Sequence, residues 1–259
     1  MYERELAAMQ KAAFDAEKKI KEVYQTAFAV EMKSDNSPVT AADKGADELI
    51  RQELHRSFPS YALLTEESKD DLSRLNNDDV FIVDPVDGTK EFVARNGEFT
   101  TNIALAHNHQ VVAGVINVPM KDVMYFALKG QGAFKWEKGK DPVRIHVSDK
   151  VAGLTALRSR SFFGPNEKAL LDKHADKIAT VETLGAALKF CAIAEGKAEI
   201  SYRESPGTKE WDIAAGTIIL QEAGGLILKR DGSEYAFNRP DVYNREGYML
   251  MNRKENWLL

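Results

Sequence analysis

One cysteine, Cys191, is all the chain offers in 259 residues, which excludes an internal disulfide and any cysteine-rich metal site and reads as a small buried apolar residue. No run reaches the roughly 18 consecutive apolar residues of a membrane span. The opening Met1-Tyr-Glu-Arg-Glu-Leu6 has neither the basic start nor the apolar centre of a signal peptide. The expectation is a soluble, cytoplasmic protein with no integral membrane association. Excess positive charge is also missing: 35 Lys and Arg stand against 40 Asp and Glu, a formal charge of −5. That balance argues against a nucleic-acid polymer or an anionic membrane as partner, and leaves room for a local basic pocket. Internal repeats and low-complexity tracts are absent too. With 44% hydrophobic and 29% charged residues, the chain has a globular composition and enough length for one large domain or two lobes.

What is present centres on Val80-Phe-Ile-Val83-Asp84-Pro85-Val86-Asp87-Gly88-Thr89. Four β-branched or aromatic residues suit a strand covered on both faces, so Asp84 emerges where the strand leaves the core. Pro85 turns the chain so that Asp84 and Asp87 can face one point, with the Val86 carbonyl between them. Three hard oxygen donors so close together suit Mg²⁺ better than zinc. Gly88 allows a close backbone approach, and Thr89 offers an N–H and a hydroxyl at a helix start, where anions bind. The same composition also suits a plain surface turn.

In chain order, apolar residues from Leu6 to Phe28 recur at three- and four-residue steps and predict one amphipathic helix from Glu5 to about Val30. Lys33 to Pro38 is a polar loop. Thr40 and Asp43 have capping-box spacing at the start of a second helix, which Phe58-Pro59 ends. Tyr61 to Thr65 is a short strand delivering Glu66 and Glu67, and Asp70 to Asp79 a charged loop free to move. Strands over 101–107, 110–118, 123–128 and 133–136, separated by turns, predict an antiparallel meander. His107 and His109, with no third ligand near, read as surface residues. From Leu154 a second lobe alternates short strands with helices: helix over 167–174, strand over 180–182, helix over 185–194, strand over 199–202. A helix from Glu210, closed by Gly224-Gly225, leads to a final core strand at Leu226 to Leu228. The expected division is 1–153 and 154–259.

Several of these stretches carry a common resemblance. Asp84-Pro-Val-Asp87-Gly-Thr89 resembles the DPxDGT signature of the inositol monophosphatase family of Mg²⁺-dependent, lithium-sensitive phosphatases. Ser37-Pro-Val-Thr40-Ala-Ala-Asp43 resembles its SPVTxxD segment, Thr65-Glu66-Glu67-Ser68 its GEES motif with threonine for glycine, and Trp211-Asp212-Ile-Ala-Ala-Gly216 its WDxAAG motif. The run Lys90-Glu91-Phe92 is similar to the bacterial 3'(2'),5'-bisphosphate nucleotidase branch.

The resemblance implies an α/β fold, a layered αβαβα sandwich with the active site between two lobes. It implies Glu66, Asp84, Val86, Asp87 and Asp212 as ligands to Mg²⁺, two or three per site. Asp43 and Thr89 become the water-activating catalytic pair, with Gly88 and Thr89 holding phosphate. Lys189 and Arg203 match the branch's basic positions and could hold a second phosphate. Two departures stand out: Ala186 where nucleotidases usually carry serine, and Phe162 after Ser159-Arg-Ser161 where they usually carry histidine. The implied partner is a small phosphorylated metabolite: foremost adenosine 3',5'-bisphosphate losing its 3'-phosphate, otherwise inositol 1-phosphate or a sugar (bis)phosphate. A non-catalytic phosphate-metabolite sensor is the reading of a different class. No motif fixes the oligomeric state, and a homodimer is kept open.

Overall fold

Alternate residues of the apolar run at 80–83 feed different cores. Phe81 and Val83 pack against two long helices, while Val80 and Ile82 point into a second cluster on the opposite face. This is the pattern of a strand covered on both sides. The computed structural model describes residues 2–32, 38–204 and 207–259. The first elements are helix α1 (Glu3–Tyr24), strands β1 (Val30–Met32) and β2 (Pro38–Thr40), helix α2 (Ala41–Ser57) and strand β3 (Ala62–Thr65). Then come β4 (Asp79–Asp87), α3 (Thr89–Val93) and the meander β5 (Thr100–His107), β6 (Gln110–Val118), β7 (Val123–Leu128), β8 (Gly132–Glu137) and β9 (Val143–Ile145). The remainder is β10 (Leu154–Ser159), α4 (Pro165–Lys173), β11 (Ile178–Leu184), α5 (Leu188–Ala194), β12 (Ile200–Arg203), α6 (Glu210–Glu222), β13 (Leu226–Lys229) and β14 (Tyr248–Met251).

Among the described residues, β3 to β9 form one seven-stranded sheet in sequence order, parallel at β3–β4 and antiparallel beyond. A five-stranded sheet runs β11-β10-β12-β14-β13, parallel in its first two pairs. Helices α1 and α2 cover one face of the large sheet through Met9, Ala12, Ala16, Ile50 and Leu54. Helices α5 and α6 fill the space between the two sheets, and Leu170 and Leu171 of α4 pack on the outer face of the small one. The order of layers is therefore α, β, α, β, α. None of the described helices is long and apolar enough to cross a membrane.

Four expectations need correction. Helix α1 stops at Tyr24 although its apolar period runs on, because Arg95 reaches the freed carbonyls of Tyr24 and Thr26, at 2.6 and 2.5 Å, and lies over the Phe28 ring. Beyond it Val30–Met32 is an exposed strand paired with β2. The 70–79 loop is pinned: buried Arg74 binds Asp70, the Asn238 side chain and the Arg239 carbonyl. Helix α5 begins at Leu188, since Ala186 has a φ of +49° that no helix admits. The chain after Leu228 supplies one more strand, β14, inserted between β12 and β13. Ser37 of the SPVTxxD segment, and the rest of the 33–37 loop, lie outside the described residues.

Candidate active site

The end of β4 breaks pairing with β5 between Asp84 and Asp87, and that irregularity swings both carboxylates out of the sheet. The turn is held from the neighbouring strand. The Thr101 hydroxyl donates to the Pro85 carbonyl at 2.9 Å, the Asn102 amide to Asp87 at 3.0 Å, and the Val86 N–H to Asp84 at 3.1 Å. Gly88 follows with φ +91°; a Cβ there would stand 3.1 Å from the Ala186 methyl and 3.3 Å from the Glu98 carbonyl. Only glycine satisfies both the backbone and the crowding. Thr89 then starts α3.

Two further carboxylates arrive on helix N-termini. Asp43 is the third residue of α2 and accepts from the Thr40 N–H at 2.7 Å and the Thr40 hydroxyl at 2.6 Å; the Thr89 hydroxyl donates to its other oxygen at 3.0 Å. Asp212 is the third residue of α6 and accepts from the Lys209 N–H at 2.5 Å. In both helices the carboxylate satisfies an N–H that the helix leaves unpaired, and that bond orients it.

Asp84, Asp87 and Asp212 can bring carboxylate oxygens within 4.8 Å of one another. The energetics of that proximity are unfavourable for bare anions. Burial, then repulsion from Asp87 and Glu66, pushes the Asp212 carboxyl up to about 8, against the pull of the Lys209 N–H. Asp87 is pushed up to about 6, chiefly by burial, although Lys189 and the Asn102 amide pull it down. Burial likewise raises Asp43, while its bonds from Thr40 and Thr89 hold it down. Hard oxygen donors strained in this way fit a divalent cation, which would replace the protons and offset the charge.

These residues line a cleft of about 200 Å³. The acidic part of its wall carries Glu66, Asp84, Asp87 and Asp212, with Val86, Gly88 and Thr89; the cationic part carries Lys90, Lys189 and Arg203, and Lys189 meets the acidic part at Asp87. Asp43 stands behind Thr89. Lys189 is buried, which lowers its pKa even with Asp87 beside it, and its ammonium donates to the Ala186 carbonyl at 2.6 Å. Arg203 donates to the Phe162 carbonyl and to Glu167 at 3.3 Å. The Phe162 ring contacts both the ammonium of Lys90, 4.1 Å from its centre, and the guanidinium of Arg203, at 5.1 Å. All of the ligand and phosphate residues expected from the sequence thus meet in one place.

A profile of the inositol monophosphatase family matches residues 1–257. The chain belongs to the inositol monophosphatase family. It is similar to the 3'(2'),5'-bisphosphate nucleotidase CysQ of Escherichia coli O157:H7, with 36% identity over 89% of this chain and 93% of the relative. To the CysQ of Buchnera aphidicola the identity is 39%, covering 81% and 77%. The crystal structure of CysQ from Bacteroides thetaiotaomicron superposes with a TM-score of 0.85 at 34% identity, covering 98% and 99%.

Some residues of this family member's cleft carry no signal in the sequence. Lys90 enters the sequence reading only as part of Lys90-Glu91-Phe92, and Tyr248 lines the cleft from strand β14. Thr101 and Asn102 read as an ordinary strand start, yet with Thr100 they hold the turn that carries Asp84 and Asp87. The pairing register of β4 with β5, a non-local fact, is what brings them there. The two histidines sit elsewhere, His107 on Asp79 at 2.8 Å and His109 on the Phe237 carbonyl at 2.8 Å.

Proposed function

We propose that this chain is a Mg²⁺-dependent phosphomonoester hydrolase that removes the 3'-phosphate of adenosine 3',5'-bisphosphate, leaving AMP and inorganic phosphate. The observation that carries the reading is the division of one cleft into an acidic and a cationic wall. A phosphomonoester needs only the first. A second phosphate on the same small molecule explains why two buried cations, Lys189 and Arg203, line the same cleft as the carboxylates. The names borne by relatives at 36–39% identity support the same choice.

In this reading Glu66, Asp84, Asp87, Asp212 and the Val86 carbonyl hold Mg²⁺, two or three ions per site. Such ions, when bound, supply Lewis acidity toward the phosphoryl oxygens and lower the pKa of a water. The chain's own residues do the rest. The Thr89 hydroxyl donates a hydrogen bond to Asp43 at 3.0 Å, which leaves its lone pairs free to accept from an attacking water and relay that water's proton to Asp43. Asp43, made more basic by burial, is the sink for that water's proton. The N–H groups of Gly88 and Thr89 stabilise charge growing on the phosphoryl oxygens. The two lobes, 1–153 and 154–259, each lend a residue to the other's wall: Asp212 to the acidic one, Lys90 to the cationic one.

An inositol 1-phosphate or sugar-phosphate phosphatase is favoured by one feature, the apolar Ala186 and Phe162 at nucleotide-side positions. A non-catalytic sensor gains nothing from the Asp43–Thr89 pair. The test is Mg²⁺-dependent phosphate release from adenosine 3',5'-bisphosphate, inositol 1-phosphate and fructose 1,6-bisphosphate under one condition. A kcat/KM preference for the nucleotide of about tenfold, 1.4 kcal/mol of transition-state discrimination, is expected. Preference for another substrate moves the chain to that activity, and no turnover moves it to the sensor.

A further inference from the structure

Glu91 is buried on the helix that follows the Gly88-Thr89 turn and lines the cleft, where its charge acts on Asp87 and Lys189, while its hydrogen bond runs elsewhere. Its carboxylate accepts from the Ser161 hydroxyl at 2.6 Å, across the gap between the segment after β4 and the loop after β10. The bond is reinforced beside it. Arg160 makes a two-toothed contact with Glu98, both distances 2.6 Å, and the Gly185 N–H donates to the same carboxylate at 2.8 Å. The fit is tight: a Cβ at Gly185 would lie 2.8 Å from the Glu91 Cγ and 2.8 Å from the Glu98 carbonyl oxygen. Close passage of backbone against Glu91 is therefore a built feature.

What the loop delivers is the next residue. The Phe162 carbonyl accepts from the Arg203 guanidinium, and the Phe162 ring contacts both that guanidinium and the Lys90 ammonium. Glu167 binds Arg203 from behind, at 3.3 Å, and is itself fixed by the Gly164 N–H at 2.5 Å. Arg203 is thus held on two sides, and the Phe162 side is tied through Ser161 and Glu91 to the segment bearing Asp84 and Asp87. We infer that Glu91 and Ser161 form a clasp that positions Arg203 relative to the carboxylate wall and so sets the spacing between the two phosphates that the cleft accepts. The inference rests on the nucleotidase reading and deepens it: these are positioning residues for substrate specificity, and Glu91 makes the Lys90-Glu91-Phe92 run more than a label.

The clasp constrains where a second phosphate binds and leaves the water-activating groups alone, so it acts on KM and on one class of substrate. The experiment compares adenosine 3',5'-bisphosphate with adenosine 3'-monophosphate, which differ only in the second phosphate, for the parent protein, Ser161→Ala, Ser161→Thr and Glu91→Gln. Loss of a hydroxyl bond to a carboxylate predicts a bisphosphate KM higher by roughly five- to tenfold in Ser161→Ala, with kcat within about twofold. The monophosphate KM moves much less, and Ser161→Thr, which keeps the hydroxyl, restores the parent ratio. Glu91→Gln keeps an acceptor but also removes a charge beside Asp87, so its bisphosphate-to-monophosphate KM ratio, in which effects common to both substrates cancel, falls between those of the parent and Ser161→Ala. The clasp is overturned if Ser161→Ala leaves the bisphosphate-to-monophosphate KM ratio unchanged, or if both constants rise together. A parent protein that does not distinguish the two nucleotides overturns the nucleotidase reading instead, and the specificity role with it.

Discussion

Asp87 is the residue on which the acidic wall turns. It is crowded by Glu66, Glu91 and burial, and receives the Asn102 amide at 3.0 Å. Asp87→Asn keeps that shape and removes one charge from a cluster that is costly without cations. Turnover should fall on the order of 10³-fold or more, the scale of losing a preorganised electrostatic contact, while the metal-free thermal midpoint holds or rises; unchanged activity would sink the ligand assignment. Thr89→Val tests the proton path separately. It preserves volume, removes the donor to Asp43 and leaves metal binding in place, so Mg²⁺ affinity should survive a collapse in kcat. Among the cations of the cleft, Lys189→Ala should raise KM for a bisphosphate far more than for a monophosphate, and equal effects would remove the case for a second phosphate site.

Helix α6 is the element that makes the cleft rigid. It fills the layer between the sheets and presents Asp212 from its first turn. Its close seat depends on two glycines: a Cβ at Gly114 of β6 would come 2.4 Å from the Ile218 Cγ2, and one at Gly216 would come 2.4 Å from the Phe190 ring. Gly114→Ala should therefore destabilise by about 1–3 kcal/mol through overpacking, read as a lower denaturant midpoint at unchanged m-value, with activity falling as the Asp212 end shifts. The helix itself was legible in the sequence, as were β6 and β7 to the residue, because their signals are local: periodicity, turn residues and capping. Capping also located Asp43 at the third position of α2, where it stands. What escaped depends on distant partners. The Arg95 cap ends α1 from some seventy residues away in sequence, and β14 exists as a strand through the neighbours β12 and β13. Ala186 in a left-handed conformation carries no local signal at all.

At the scale of the whole molecule the acidic wall links folding, protons and metal. Asp87, up to about 6, and Asp212, up to about 8, hold protons in the folded chain that an unfolded chain releases near the ordinary value of 3.8. Between those values the folded state binds more protons than the unfolded one, so stability falls as pH rises. Buried Asp43 and Glu210, both raised by desolvation, add to the same slope. Carboxylates with lowered values, such as Asp15 and Asp122 on their lysines, act in the opposite sense at pH below the ordinary carboxylate range. The raised carboxylates therefore set the slope from about pH 5 upward, and buried Lys189, whose value is lowered, acts against them at the alkaline side. Over the window from about pH 5 to 8 the metal-free thermal midpoint should decline with pH. Divalent cations displace the same protons, so the rise in midpoint on adding saturating Mg²⁺ should grow across the window, and calorimetry in buffers of different ionisation enthalpy should detect proton release on binding near neutrality. Asp212→Asn should flatten both the decline and the Mg²⁺ increment. If the increment is the same at pH 5 and pH 8, the strained carboxylates are not where the metal binds, and the cleft must hold its substrate by the cationic wall alone.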